Sequence, residues 1–160
     1  MTIPLLLLLM MTDTAWAAWS ALGVYTLGCI TDWLDGYLAR RYKLVSPFGE
    51  FLDPIADKIF IAAVLLALLA NDHLGAWGVI PVTIILSREF LVSGLREFFG
   101  PKNITFPVSS LAKLKTGIQM FSLGFLIVGK YGTGVLTYNL EIGYVLLVAA
   151  TILTILSGWA

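Results

Sequence analysis

Long apolar runs separated by short polar interruptions make up nearly the whole chain, and no two-residue alternation of a membrane barrel breaks them. Met1 to Met11 is apolar but falls short of the roughly 20 residues that cross a bilayer. No basic residue precedes Leu5, as a signal peptide would require, so the run is expected to be the remnant of a first transmembrane helix. After Thr12-Asp13-Thr14 a second helix is predicted from Trp16 to about Ala39, with Trp16 and Trp19 as interface anchors. A third is predicted from Gly49 to Ala70, a fourth from Gly75 to about Phe98, a fifth from Ser109 to Val128 and a sixth from Val135 to Trp159. Asn71-Asp72-His73 is a polar turn, and Pro101 to Pro107 a loop. The expected fold is all-α: a polytopic transmembrane bundle of about six helices with the first truncated, forming a single domain over residues 1–160 without internal repeats.

Composition sharpens this picture. With 59% hydrophobic residues and mean hydropathy +0.91, the chain is too apolar for an ordinary soluble domain of its length. Its formal charge is zero, but the charges are clustered, and no nucleic-acid partner is expected. Arg40, Arg41, Lys43, Arg96, Lys102, Lys113 and Lys115 fall at one set of helix ends, whereas the opposite turns hold only Lys130. The positive-inside rule then turns the Arg40–Gly49 side toward the cytoplasm, as expected for an integral protein of a bacterial inner membrane. The single Cys29 implies no disulfide and reads as a packing residue.

Against this background the stretch from Asp32 to Asp57 stands out. It sets four carboxylates, Asp32, Asp35, Asp53 and Asp57, in apolar surroundings where an ionisable group is costly and functional by default. Each pair, spaced by three and by four residues, shares a helix face. The basic, Pro- and Gly-containing run from Arg40 to Gly49 should end one helix and start the next. In the resulting antiparallel hairpin the two pairs fall at similar depth. Four facing carboxylates would repel one another unless hard divalent cations lay between them. Mg²⁺ or Mn²⁺ suits the donors, because the stretch holds no His or Cys.

The order Asp32-x2-Asp35-Gly36-x2-Ala39-Arg40-x8-Gly49-x3-Asp53-x3-Asp57 resembles the signature of the CDP-alcohol phosphotransferase family at every defined position. Within that family SREFLVSGLRE and LAKLKTGIQ are similar to segments of the phosphatidylglycerophosphate synthases, which transfer a phosphatidyl group from CDP-diacylglycerol to sn-glycerol 3-phosphate and release CMP. The resemblance implies two divalent metals on Asp32, Asp35, Asp53 and Asp57, with Asp57 as general base on the acceptor hydroxyl. It also implies a nucleotide pocket lined by Asp32, Asp35, Gly36, Ala39, Arg40 and Gly49, acyl chains left in the membrane lipid, and a homodimer. The Asn-Pro-Asn-x-x-Thr-x-x-Arg-like stretch that enters the family's first helix has no counterpart in Met1-Thr2-Ile3-Pro4.

A phosphorylated acceptor calls for a cationic pocket, and Arg88, Arg96, Lys113 and Lys115 are the candidates, each weighed against ordinary cytoplasmic anchoring. Lys113 and Lys115 point about 200° apart on a helix, Lys115 sharing a face with Gln119. Lys58, next to Asp57, is placed to tune the site or pair with a carboxylate. Other readings are the same transfer to inositol phosphate, serine or phosphatidylglycerol, an inactive truncated membrane scaffold, and a divalent-cation transporter.

Overall fold

Thr14 starts the first long helix: its Oγ1 accepts the Ala17 N–H at 3.3 Å, satisfying one of the donors that a helix start leaves open. The computed structural model describes residues 2–42, 47–99 and 110–157. Six α-helices are present among them: α1 (Thr2–Met10), α2 (Ala15–Tyr42), α3 (Pro47–Ala70), α4 (Val79–Phe99), α5 (Ser110–Val128) and α6 (Asn139–Leu156). Short 3₁₀ turns at Ala76–Gly78 and Gly129–Gly134 complete the described regular structure, which contains no strand. The expected all-α bundle is therefore what forms. The expected loop from Pro101 to Pro107 lies outside the described residues.

Three boundaries differ from the expectation for identifiable reasons. The second helix continues past Ala39 to Tyr42, and the third already begins at Pro47, where proline is tolerated because a first-turn N–H has no helical partner. The sixth helix begins at Asn139 rather than Val135. The buried Asn139 amide donates to Phe125 O at 2.8 Å and to Gly129 O at 2.9 Å, carbonyls that the end of α5 leaves open. The chain must complete the 3₁₀ turn before Asn139 reaches them. Gly129 takes φ +55° there, a left-handed conformation in which a Cβ would also lie 2.8 Å from the His73 ring.

The end of α3 is closed in another way. His73 N–H donates to Leu68 O and Asp72 N–H to Leu69 O, both at 3.1 Å, with Asp72 at φ 56°. This is a Schellman stop with Asp in the left-handed position usually given to Gly. The Asn71 side chain then ties the turn to Met10 O at 2.7 Å, fixing α1 against α3.

Packing centres on Leu65, Leu68, Ile85, Leu123, Leu126 and Leu147, all fully buried and drawn from α3, α4, α5 and α6. α5 and α6 approach closely because Gly143 offers no side chain: a Cβ there would sit 2.8 Å from Leu126 Cγ. Ser122 Oγ donates to Gly143 O at 2.7 Å across the same contact. The hydroxyls of Thr26, Thr31, Thr116, Thr151 and Thr154 donate to carbonyls four residues back, so these polar side chains carry no open donor into apolar surroundings.

Among the described residues three stretches, Ala76–Arg96, Leu111–Gly134 and Asn139–Leu156, are long and apolar enough to cross a membrane. α2 and α3, at 28 and 24 residues, are also long enough, but their facing ends carry the acidic and basic residues of the site. Many large apolar side chains point outward, Trp16, Leu91, Phe121 and Val145 among them, as in a bundle whose solvent is lipid. The chain is an integral membrane protein.

Candidate functional site: a carboxylate hairpin beside a cationic cluster

The register of α2 against α3 is set by a glycine and two rings. Tyr25 stacks on Phe60 with ring centroids 5.7 Å apart and planes 8° from parallel. A Cβ on Gly28 would lie 3.8 Å from Phe60 Cζ, so the Phe60 ring reaches α2 at Gly28. One turn further along α2 is Asp32, and about one turn back along α3 is Asp57. From the inner ends of their helices, Tyr42 and Pro47, Asp32 and Asp57 each stand about 15 Å deep, Asp35 about 10 Å and position 53 about 9 Å. Counted from those ends, the positions of the two pairs fall at similar distances along their helices.

Asp32, Asp35 and Asp57 are exposed, whereas Gly36 and Gly49 are partly buried. The charges of Asp32 and Asp57 both act on the half-buried Cys29 thiol, one turn before Asp32, so the two helices present carboxylates to one neighbourhood. The side chains of Ala39, Arg40 and Asp53 lie outside the described residues. Among the described residues no three His, Cys, Asp or Glu side chains come close enough to hold a metal ion by themselves. The donor types still fit a hard divalent cation: Asp32, Asp35 and Asp57 are carboxylates accessible to water and ions, with no imidazole in the stretch.

A second cluster adjoins the first. Lys58 follows Asp57 on α3 and interacts electrostatically with Asp57 and with Arg96 of α4. Arg88, two turns deeper on α4, is within range of Arg96. Lys115 of α5, only 4% exposed, feels both Arg88 and Lys58 and forms an ion pair with Glu89. Of the four candidates for binding an acceptor phosphate, the structure draws Arg88, Arg96 and Lys115 together and adds Lys58. Lys113 is exposed, and helix geometry turns it about 200° from Lys115. The Arg88 guanidinium is held from the other side by Ser157, its Nη2 donating to Ser157 Oγ at 3.1 Å and to Ser157 O at 3.3 Å. Nothing in the sequence pattern signals Ser157.

A third feature had no signal in the sequence beyond scattered aromatics. An apolar groove of about 640 Å³ runs between α2 and α5, walled by Trp19, Leu22, Ile30, Trp33, Phe121 and Phe125. From Trp19 to Trp33 it follows α2 for about 21 Å, most of a leaflet pair. Cys29 and Trp33 form its inner end, so it opens at the depth of Asp32.

The chain is thus an all-α membrane bundle with exposed carboxylates, a neighbouring group of cations and an apolar groove along α2. The sequence model of the CDP-alcohol phosphatidyltransferase family matches residues 1–156, and the chain belongs to that family. It is 44% identical over 160 residues to a CDP-diacylglycerol–glycerol-3-phosphate 3-phosphatidyltransferase of Rickettsia typhi, covering all of this chain and 88% of that protein. It is 35% identical over 128 residues to the protein of the same name from Escherichia coli, covering 78% of this chain and 69% of that one. A cardiolipin synthase (CMP-forming) of Oryza sativa is 37% identical over 141 residues, covering 80% of this chain and 42% of the rice protein.

Proposed function

We propose that the chain transfers the phosphatidyl group of CDP-diacylglycerol to sn-glycerol 3-phosphate and releases CMP, on the cytoplasmic side of a bacterial inner membrane. One observation supports this reading: Lys58, next to Asp57 on α3, interacts with both Asp57 and Arg96 of α4, so the carboxylates and the cations adjoin. A phosphorylated alcohol held by the cations thus has its free hydroxyl end directed at the carboxylates. Relatives named for this same reaction, at up to 44% identity over the full chain, support it.

The residues divide the work by position. Arg88, Arg96, Lys115 and Lys58 bind the acceptor phosphate; Lys115 keeps Glu89 as counter-charge until the ligand arrives. Lys113, a candidate by sequence, is assigned to the cytoplasmic surface. Gly36, Ala39, Arg40 and Gly49, with Asp32 and Asp35, line the cytidine diphosphate side. Asp57 accepts the proton of the acceptor hydroxyl as its oxygen forms a bond to the phosphatidyl phosphorus. The bond from that phosphorus to the bridging oxygen breaks, and CMP leaves with the electron pair. The groove between α2 and α5 suits an acyl chain of the donor, because its inner end lies level with Asp32.

Asp32, Asp35, Asp53 and Asp57 would hold two divalent cations, Mg²⁺ or Mn²⁺, which when bound neutralise the diphosphate and the departing CMP. A homodimer would pack on exposed glycines such as Gly23 of α2 and Gly94 of α4, where a Cβ would meet nothing within 4 Å.

The test is CMP release from CDP-diacylglycerol by purified protein with Mg²⁺ or Mn²⁺ and a panel of acceptors. Release dependent on sn-glycerol 3-phosphate supports the assignment. Release with phosphatidylglycerol instead would move the chain to the reaction for which the rice relative is named, and no release with any acceptor would leave only a scaffold.

A further inference from the structure

Gln119 is 4% exposed, and its Oε1 is buried with no hydrogen-bond partner among the described residues. It follows Lys115 by one turn on the same face of α5, about 6 Å deeper into the membrane. Across from them, Arg88 Nε is likewise buried without a partner, although Nη2 of the same guanidinium is engaged by Ser157. Elsewhere the described interior satisfies its polar side chains, as Ser122, Asn139, Thr151 and Thr154 do. Leaving an acceptor and a cationic donor open around one lysine is costly and needs an explanation.

The complement of these groups is a ligand that presents an anion to Arg88 Nε and Lys115 Nζ and, beside it, a hydroxyl able to donate to Gln119. An acceptor carrying a phosphate and only the reacting hydroxyl would leave Gln119 unsatisfied, since that hydroxyl is directed at Asp57. sn-Glycerol 3-phosphate has a further hydroxyl on its middle carbon. We propose that Gln119 Oε1 accepts a hydrogen bond from this non-reacting hydroxyl and thereby selects a glycerol phosphate over a simple hydroxyalkyl phosphate. The inference rests on the acceptor proposed above, and makes Gln119 a specificity-determining residue at the floor of the acceptor pocket.

The experiment compares kcat/KM for sn-glycerol 3-phosphate and for 3-hydroxypropyl phosphate, which lacks the middle hydroxyl, using the whole chain in detergent with CDP-diacylglycerol and Mg²⁺. The wild-type protein should favour glycerol 3-phosphate by about tenfold or more, because a site built to bond a hydroxyl rejects the analogue lacking it. In Gln119→Met, of similar length but without the acceptor oxygen, the ratio should collapse toward one. Equal use of the two acceptors by the wild type, a measurement that needs no variant to fold, overturns the proposal. An undiminished ratio in Gln119→Met overturns it as well, and assigns the open oxygen to water. If neither compound supports CMP release while another acceptor does, the assignment of the acceptor itself fails and the proposal falls with it.

Discussion

The two ends of the bundle handle polar groups in opposite ways. At the outer end, where α1 meets α2 and α5 meets α6, polar side chains are spent on closing the fold. Asn71 caps Met10 O, His73 Nδ1 lies 2.9 Å from Leu126 O, Asn139 takes two carbonyls, and Asp13 receives Lys130 Nζ at 2.9 Å and Tyr131 Oη at 3.1 Å. At the inner end three described carboxylates stand exposed, and an arginine nitrogen and a glutamine oxygen are buried without partners. Helix ends can be closed with backbone and side-chain bonds at little cost, so the buried Arg88 Nε and Gln119 Oε1, left without partners, point to something they bind. The outer end sets how α2 and α5 sit; the inner end uses that placement.

Substitutions that act on one end only sharpen this contrast. The largest expected effect is Asp57→Asn, which removes the proposed base and should lower transfer by about 10²- to 10⁴-fold with the protein still extractable and monodisperse. Steady-state turnover checks this, and wild-type turnover would take Asp57 out of that role. Next, Arg88→Ala should raise the KM for glycerol 3-phosphate about tenfold or more while leaving the KM for CDP-diacylglycerol nearly unchanged. The reverse pattern would move Arg88 to the nucleotide side. At the outer end, Asn139→Leu leaves two carbonyls open and should cost about 1–3 kcal/mol of stability, seen as a lower Tm in detergent with unchanged KM values.

The smallest effect belongs to Asp13. The hydrogen bonds from Lys130 and Tyr131 hold its carboxyl below the ordinary value of 3.8. A carboxyl depressed on folding contributes stability above its unfolded pKa and loses it as pH falls through the folded value. Asp13→Asn should therefore lower Tm slightly at pH 7, with the difference from wild type shrinking as pH falls below 3.8 and through the folded value. A difference that persists in acid would show that charge is not what the contact supplies.

Much of the inner end was legible because its chemistry is written in spacing. Carboxylates three and four residues apart, separated by a breaker rich in Pro, Gly and Arg, already implied two successive helices, and the structure ends α2 at Tyr42 and begins α3 at Pro47. Three of the four basic candidates meet because α4 and α5 pack on the same hairpin, and Lys113 was separable from Lys115 by helix angle alone. What spacing does not encode is contact between distant elements. Ser157 reaches Arg88 across 69 positions, and the groove is walled by residues of α2 and α5 that lie far apart in the chain, Trp19 to Trp33 and Phe121 to Phe125. The start of α6 was misplaced for the same reason, since Val135 continues an apolar pattern while Asn139 is where the hydrogen bonds require the helix to begin.

The most direct measurement is Mn²⁺ binding to the detergent-solubilised protein, followed by the loss of the free-ion paramagnetic resonance signal, for the wild type, Asp32→Asn, Asp57→Asn and the double variant. If α2 and α3 share bound cations, each single change should weaken binding by about tenfold or more, and the double should add little to either. Unchanged Mn²⁺ affinity in both single variants, or losses that simply multiply, would mean that the two helices do not hold a common ion.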